Sequence, residues 1–161
     1  MNTELHQTIT LIKEELDKTH ASIIFAQLKS GVKLGAAEIE KLGVYSEFLD
    51  ITNGARFGAI DLWSYDDLTR NQFVLHDRQN SKESLISVGQ ILYEPIILDI
   101  NDQKVYTFKL DDDSDIPMTF IGGFDYFLGN YVFGERYGEI IPDYDSDEWI
   151  IFLKDLKIIE Q

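Results

Sequence analysis

The chain has 161 residues, a formal net charge of −15, 44% apolar and 12% aromatic residues, and no cysteine. This size suits one domain with a sizeable core, and the apolar fraction is that of a globular protein rather than a disordered acidic chain. The lack of cysteine excludes disulfides, thiolate catalysis and finger-type zinc sites, and no apolar run reaches the about 18 residues that a membrane span needs. Because the N-terminal charges are spread along an amphipathic period, which no signal peptide has, we expect a cytoplasmic protein.

The negative charge is concentrated in the second half of the chain. Residues 1–80 hold 8 Lys or Arg against 12 Asp or Glu, whereas residues 81–161 hold 6 against 17, so the two halves carry −4 and −11. Such a field repels nucleic acid and anionic membranes and attracts basic proteins. The same acidity could instead serve solubility alone.

The N-terminal third is predicted to begin with an amphipathic helix over Thr3–Lys18. Its apolar residues recur at helical steps: Leu5, Ile9, Ile12 and Leu16. The stretch His20–Leu28 fits either a strand or a second helix, and we favour the helix slightly.

The central stretch, Glu38–Leu68, is predicted to run from helix to strand to a short helical turn. One helical face carries Ile39, Leu42, Tyr45, Phe48 and Leu49. Asn53-Gly54 ends this pattern and predicts a left-handed helix C-cap. An Asn-Gly hairpin turn is the alternative, but the preceding run has a helical period.

A strand is predicted to follow over Phe57–Trp63, with Ile60 and Leu62 on one face and Asp61 on the other. Ser64 and Asp67 have capping-box spacing, so a helical turn should begin there.

The second half is predicted to supply most of the sheet. Leu85–Val88 reads as a strand, and Ile96–Ile100 and Lys104–Leu110 form a hairpin around Asn101-Asp102. A last strand is expected over Met118–Ile121.

Two helices are expected to close the chain. Gly122-Gly123 should open a helix that buries Phe124, Phe127, Leu128, Tyr131 and Val132. Ser146 should cap a final helix that buries Trp149, Phe152, Leu153 and Leu156. Strands flanked by helices at both ends predict a single α+β domain, residues 1–161, with a mainly antiparallel sheet.

The chain shows no catalytic or cofactor-binding motif. His6, His20 and His76 lack metal-ligand spacing, and His76 beside Asp77 is the one candidate for a base. No nucleophile elbow or phosphate-binding glycine pattern is present. We therefore expect a protein that is not an enzyme and has no cofactor.

Two acidic loops resemble calcium loops only in part. Alternate carboxylates occur at Asp111, Asp113 and Asp115, and again at Asp143, Asp145 and Asp147. The sixth position, which needs Gly, is Ile116 or Glu148, and the twelfth, which needs Glu, is Gly122 or Lys154. We therefore expect no metal site in either loop.

The central stretch and two later segments resemble the SUKH superfamily of Smi/Knr-like proteins. The matching central residues are Phe48, Leu49, Asn53, Gly54, Phe57, Ile60, Leu62, Asp66, Asp67 and Leu68. Ile86–Phe108 is similar to the family's paired strands and Ile121–Ile141 to its closing helix. The chain departs from the family where Gly43-Val44 replaces a frequent Leu-Pro, and the resemblance does not extend to its first 35 residues, whose role stays open.

The resemblance implies an immunity protein that neutralises a toxin domain, often a nuclease, delivered by competing bacteria. A nuclease presents a basic cleft to phosphates, so an acidic face would fit it. The expected partner is thus a cognate basic toxin domain rather than nucleic acid, a membrane or a small-molecule substrate. A regulatory or scaffold protein of the same fold is the alternative.

We predict that partner binding uses one or both acidic loops. The candidate residues are Asp111, Asp112, Asp113 and Asp115 in the first and Asp143, Tyr144, Asp145, Asp147 and Glu148 in the second. Tyr144 and Tyr126 are candidate anchors, and packing in the core is the more natural role for Tyr126.

Overall fold

The computed structural model describes residues 1–18, 25–76, 78 and 82–160. The helices are α1 (Thr3–Lys18), α2 (Ala36–Leu42), α3 (Val44–Ile51), α4 (Tyr65–Arg70), α5 (Phe124–Tyr126), which continues as a π-helical segment (Phe127–Val132), and α6 (Glu148–Asp155). Short 3-10 helices span Gln72–Leu75, Glu135–Glu139 and Tyr144–Ser146. The strands are β1 (Ala26–Leu28), β2 (Ala55–Phe57), β3 (Ile60–Leu62), β4 (Leu85–Ile91), β5 (Glu94–Asp99), β6 (Lys104–Thr107) and β7 (Thr119–Gly123).

The seven strands form one sheet in chain order, and each neighbouring pair is antiparallel. Tight turns join β2 to β3, β4 to β5 and β5 to β6, whereas α2 and α3 lie between β1 and β2, and α4 lies between β3 and β4. The predicted α+β class, with an antiparallel sheet flanked by helices, is therefore confirmed.

The main core lies on one face of the sheet, under the helices. Its largest fully buried side chains include Trp149, Tyr45 and Tyr137. Two of these bury a polar atom that is satisfied: Trp149 Nε1 donates to Val132 O at 2.8 Å, and Tyr45 Oη lies 2.6 Å from Trp63 O. These two donors are paired within the core, whereas Trp63 Nε1, at the edge of the same core, is buried without a hydrogen-bond partner among the described residues.

A second, smaller core covers the opposite face of strands β4–β7. Leu75, Ile97 and Phe108 are its buried members. The Gln72 side chain ties the 3-10 helix to this face, because it accepts from Ser87 N and donates to Ser87 O, both at 2.9 Å. The central strand β5 is consequently buried on both faces.

The predicted central helix is broken at Gly43, whose φ is +54°. The chain turns there between α2 and α3, so the predicted residues do not lie on one continuous helix. Leu42, Tyr45, Phe48 and Leu49 are buried as predicted. Ile39 is 49% exposed, which contradicts its assignment to the core face.

The predicted strand Phe57–Trp63 is instead a hairpin. Gly58 adopts φ +59°, and β2 and β3 pair through Phe57 and Ile60. Ile60 and Leu62 face the core as predicted. Gly54 has the predicted positive φ, +84°, but the C-cap residue of α3 is Thr52 in extended conformation, so the predicted Asn53-Gly54 cap is wrong.

The remaining predicted elements agree with the structure to different degrees. Helix Thr3–Lys18 and the Ser64 cap of α4 are confirmed, since Ser64 Oγ accepts from Asp67 N. Ala26–Leu28 is a strand, which contradicts the helix favoured for His20–Leu28, and residues 20–24 of that stretch lie outside the described part. The cap of α6 is Asp147 rather than Ser146.

A candidate protein-binding surface

The first acidic cluster (Asp111, Asp112, Asp113, Asp115) lies on the connection between β6 and β7. Asp111, Asp113 and Asp115 are exposed, and Asp112 is half-buried. Asp112 Oδ2 accepts weakly from Lys109 N at 3.4 Å. The carboxylates therefore face solvent on an exposed loop, as predicted for this segment.

Arg78 anchors this loop to the body of the protein. Its side chain is nine-tenths buried, its Nη2 donates to Ile116 O, and its guanidinium carbon lies 4.1 Å from the centre of the Phe108 ring. Arg78 uses the planar guanidinium for both contacts at once, which is the geometry that suits stacking on an aromatic face. The acidic loop is thereby held against the second core.

The second acidic cluster (Asp143, Asp145, Asp147, Glu148) lies at the start of α6, whose first residue is Glu148. Asp143 adopts a left-handed conformation with φ +54°, and Asp143, Asp145 and Glu148 are exposed. Carboxylates just before and in the first turn of a helix are favoured by its N-terminal dipole. These three side chains are available to a partner.

Asp147 has a structural role instead. Its Oδ1 accepts from Trp149 N at 2.9 Å, which caps α6, and its Oδ2 accepts from Tyr137 Oη at 2.6 Å. Tyr137 Oη in turn accepts from Ala59 N at 3.0 Å. Asp147 thus joins α6 to the β2–β3 turn, and burial followed by this hydrogen bond raises the pKa of Tyr137.

The two candidate tyrosines differ from expectation. Tyr144 is half-buried, and its ring covers Gly138, where an added Cβ would lie 2.3 Å from Tyr144 Cε1. Tyr126 is 43% exposed and hydrogen-bonds Arg136. The ring that we expected to pack in the core is therefore the more accessible of the two.

The carboxylates of both clusters lack ion-pair partners in the described part of the chain. Strands β4 and β5 separate the β2–β3 turn, near the second cluster, from the β6–β7 connection that carries the first. At about 4.8 Å per strand, β3 and β6 lie about 14 Å apart in the sheet. The two clusters therefore lie on separate loops.

No group of three or more His, Asp or Glu side chains suited to a metal ion occurs among the described residues. His76 lies on a groove of about 660 Å³ between α2, α4 and β4, whose walls include Leu42 and Leu68. Asp77, its suggested partner as a base, lies outside the described residues, as does His20. The groove carries charges of both signs, including Lys41 and Glu83.

Sequence reasoning missed an exposed apolar turn between β4 and β5. Leu92 is 44% exposed and Tyr93 is 82% exposed. Tyr93 directly precedes Glu94-Pro95, and the proline favours extended backbone at Glu94, where β5 begins, so the turn falls on Leu92 and Tyr93.

No protein-family model matches this chain, and no curated protein matches it. In the part that the structure describes, no helix is both long and apolar enough to cross a membrane.

Proposed function

We propose that this chain is an immunity-type protein that acts in the cytoplasm by binding and neutralising a cognate basic toxin domain, of the nuclease kind. The observation that carries the proposal is the set of carboxylates on two loops that have no ion-pair partner among the described residues, within a half-chain of net charge −11. Because these carboxylates form no ion pairs in the described part of the chain, their negative charge is left to attract a basic cleft on the partner.

The similarity of Phe48, Asn53-Gly54 and Asp66-Asp67 to the SUKH superfamily supports the same proposal. The α+β fold and its antiparallel sheet are compatible with that resemblance. Because a toxin of this kind is neutralised by occlusion, the protein needs no catalytic group and no cofactor. We accordingly propose that it is not an enzyme.

The experiment measures association with the toxin domain encoded beside this gene, by stopped-flow fluorescence between low and high salt. Changing Asp112→Lys and Asp113→Lys should slow association about tenfold at low salt and flatten its salt dependence, with a smaller effect on dissociation. The second cluster is tested by Asp145→Lys with Glu148→Lys.

The matched control is Glu14→Lys with Asp17→Lys on the exposed side of α1, which changes the net charge equally. If all three double variants slow association alike, only net charge matters and the site assignment is wrong. If wild-type association ignores salt, the acidity serves solubility. If no toxin gene lies beside this one, the regulatory or scaffold alternative gains support.

A further inference from the structure

Half of one sheet face is polar and carries an in-register row of side chains. On the face opposite the main core, Gln27 pairs with Arg56, Arg56 with Asp61, and Asp61 with Gln90 across strands β1–β4. Arg56 Nε donates to Asp61 Oδ1 at 2.8 Å, and Gln90 Nε2 donates to Asp61 Oδ2 at 3.1 Å. The Arg56 side chain keeps 51% of its surface exposed. This row is therefore an ordered, accessible polar floor.

The β4–β5 turn projects two large apolar side chains at one end of this floor. Leu92 and Tyr93 are both exposed, and Leu92 holds φ +57°, a conformation that suits Asn or Gly far better than leucine. Leu92 N donates to Ala59 O at 2.8 Å, which fixes this turn against the β2–β3 turn. Because Tyr93 gains little burial within the molecule, the turn is suited to contact with another one.

A groove of about 510 Å³ lies between the turn and the floor. It is lined by Phe25, Arg56, Asp61, Tyr93, Asp147 and Glu148, among others. Arg56 is already neutralised by Asp61, so the remaining carboxylates, Asp147 and Glu148, leave the groove net negative. Glu148 is exposed and has no ion pair among the described residues.

Because both oxygens of Asp147 accept hydrogen bonds within the protein, Glu148 is the carboxylate that, beside the aromatic rings of the groove, suits a cationic side chain. A guanidinium or ammonium group gains from the ring faces and from charge-assisted hydrogen bonds to the carboxylate, while its methylene stem covers apolar surface. An anionic segment would be repelled, and a purely apolar one would leave Glu148 and the polar row unpaired. The complementary occupant is a basic protein segment.

We propose that the Leu92-Tyr93 turn and the adjoining groove are the docking surface for a basic segment of a protein partner, with an Arg or Lys side chain seated between Phe25, Tyr93 and Glu148. The identification of that partner as a toxin rests on the proposed function. Tyr93 is the anchor of this surface, and Glu148 supplies its charge. The first acidic cluster, on the other side of β4 and β5, then acts on encounter only.

The first test uses an acetylated and amidated tetra-arginine peptide as the probe, with a tetra-glutamate peptide as its control. Titration into the ¹⁵N-labelled protein should give saturable shifts of the Leu92, Tyr93 and Glu148 amides. Tyr93→Ala combined with Glu148→Gln should abolish them, whereas Phe73→Ala, at another exposed aromatic (62%, against 82% for Tyr93), should not. Shifts confined to Asp111–Asp115, or no saturable shift, would overturn the proposal.

The second test uses the toxin domain encoded beside this gene. Tyr93→Ala should raise its Kd at least tenfold, mainly through faster dissociation, and Phe73→Ala should change it less than twofold. If the wild type binds the toxin and Tyr93→Ala binds equally well, this surface is wrong while the proposed function stands. If the wild type does not bind the toxin, the proposed function fails and the peptide titration alone decides this surface.

Discussion

Tyr137→Phe removes a single oxygen that connects three parts of the fold. Tyr137 is fully buried; its hydroxyl donates to Asp147 Oδ2 at 2.6 Å and accepts from Ala59 N at 3.0 Å. Phenylalanine preserves the ring and its packing. The substitution therefore tests the two hydrogen bonds rather than the core.

The expected loss follows from the character of each bond. A hydrogen bond to a charged carboxylate contributes about 1.5–3 kcal/mol and a neutral one about 0.5–1.5 kcal/mol. Asp147 is only half-buried, so water can replace part of its lost bond, and Ala59 lies in a turn. We expect Tyr137→Phe to lower the free energy of unfolding by about 2–3 kcal/mol.

Urea denaturation followed by circular dichroism measures this loss, with an unchanged m-value as the sign that the unfolded state is unaffected. Tyr93→Phe is the matched control, because its ring is 82% exposed and its loss of a hydroxyl should change stability by less than about 0.5 kcal/mol. A Tyr137→Phe effect as small as that of the control would refute the role assigned to the hydroxyl.

The pH dependence adds an independent check. Burial and the hydrogen bond to Asp147 raise the pKa of Tyr137 above its ordinary value of 10.0, so the folded state holds this proton more tightly than the unfolded state. The resulting stability is complete below pH 10 and is lost as the pH rises above it. Tyr137→Phe should lose less stability in that range; a residual loss should remain because burial also raises the pKa of Tyr45.

Two further predictions concern a backbone position and the acidic loops. Gly54→Val should destabilise the protein by about 2–4 kcal/mol, because φ is +84° and the new Cβ would lie 2.7 Å from Ser64 N. The control is Gly123→Ala, where the atom nearest to the new Cβ lies at 3.9 Å. Equal urea midpoints for the two variants would refute the strain at Gly54. Millimolar calcium should raise the Tm only slightly, by screening, and a saturable shift at micromolar calcium would show that an acidic loop is a metal site after all.

The central helix shows why apolar periodicity identifies core residues more reliably than it identifies the point at which a helix is broken. Leu42 and Tyr45 both reach the core, so a three-residue step continues smoothly across Gly43. A glycine inside a helix costs only about 1 kcal/mol, and its presence therefore does not reveal a break. The break follows from tertiary structure: Gly43 has φ +54°, and a Cβ there would lie 3.2 Å from Ile100 O.

The missed hairpin did leave a signal in the sequence. Phe57 and Ile60 are both buried although they are three residues apart, and a regular strand cannot turn both to one face. Gly58 between them was the position able to adopt the positive φ of a tight turn. Because Phe57 and Ile60 are an odd number of residues apart, the alternation of one strand fails between them. This break, together with Gly58, would have predicted two strands, β2 and β3, in place of one.

The candidate surface was predictable in charge but not in detail. The acidic loops are exposed, as their composition indicated. Asp147 was indistinguishable from its acidic neighbours, because its structural partner Tyr137 is fixed by tertiary packing rather than by local spacing. Tyr93 lies in a run of large apolar residues, and only the position of the β4–β5 turn makes it exposed.

The role of Arg78 leads to a last prediction, which concerns how rigidly the loop of the first acidic cluster is held. Arg78→Lys keeps the charge but loses the planar group that stacks on Phe108 and donates to Ile116 O, which should cost about 1 kcal/mol and loosen the loop. Hydrogen exchange of the Asp112 and Ile116 amides, now bonded to Lys109 O and Asp113 O, should accelerate several-fold, whereas Arg70→Lys, at a side chain that is 74% exposed, should leave it unchanged. Exchange equal in both variants would show that the loop does not depend on Arg78. Long-range electrostatic attraction does not need a fixed loop geometry. The association rate of Arg78→Lys with a basic partner should therefore equal that of the wild type, even though hydrogen exchange shows a looser loop.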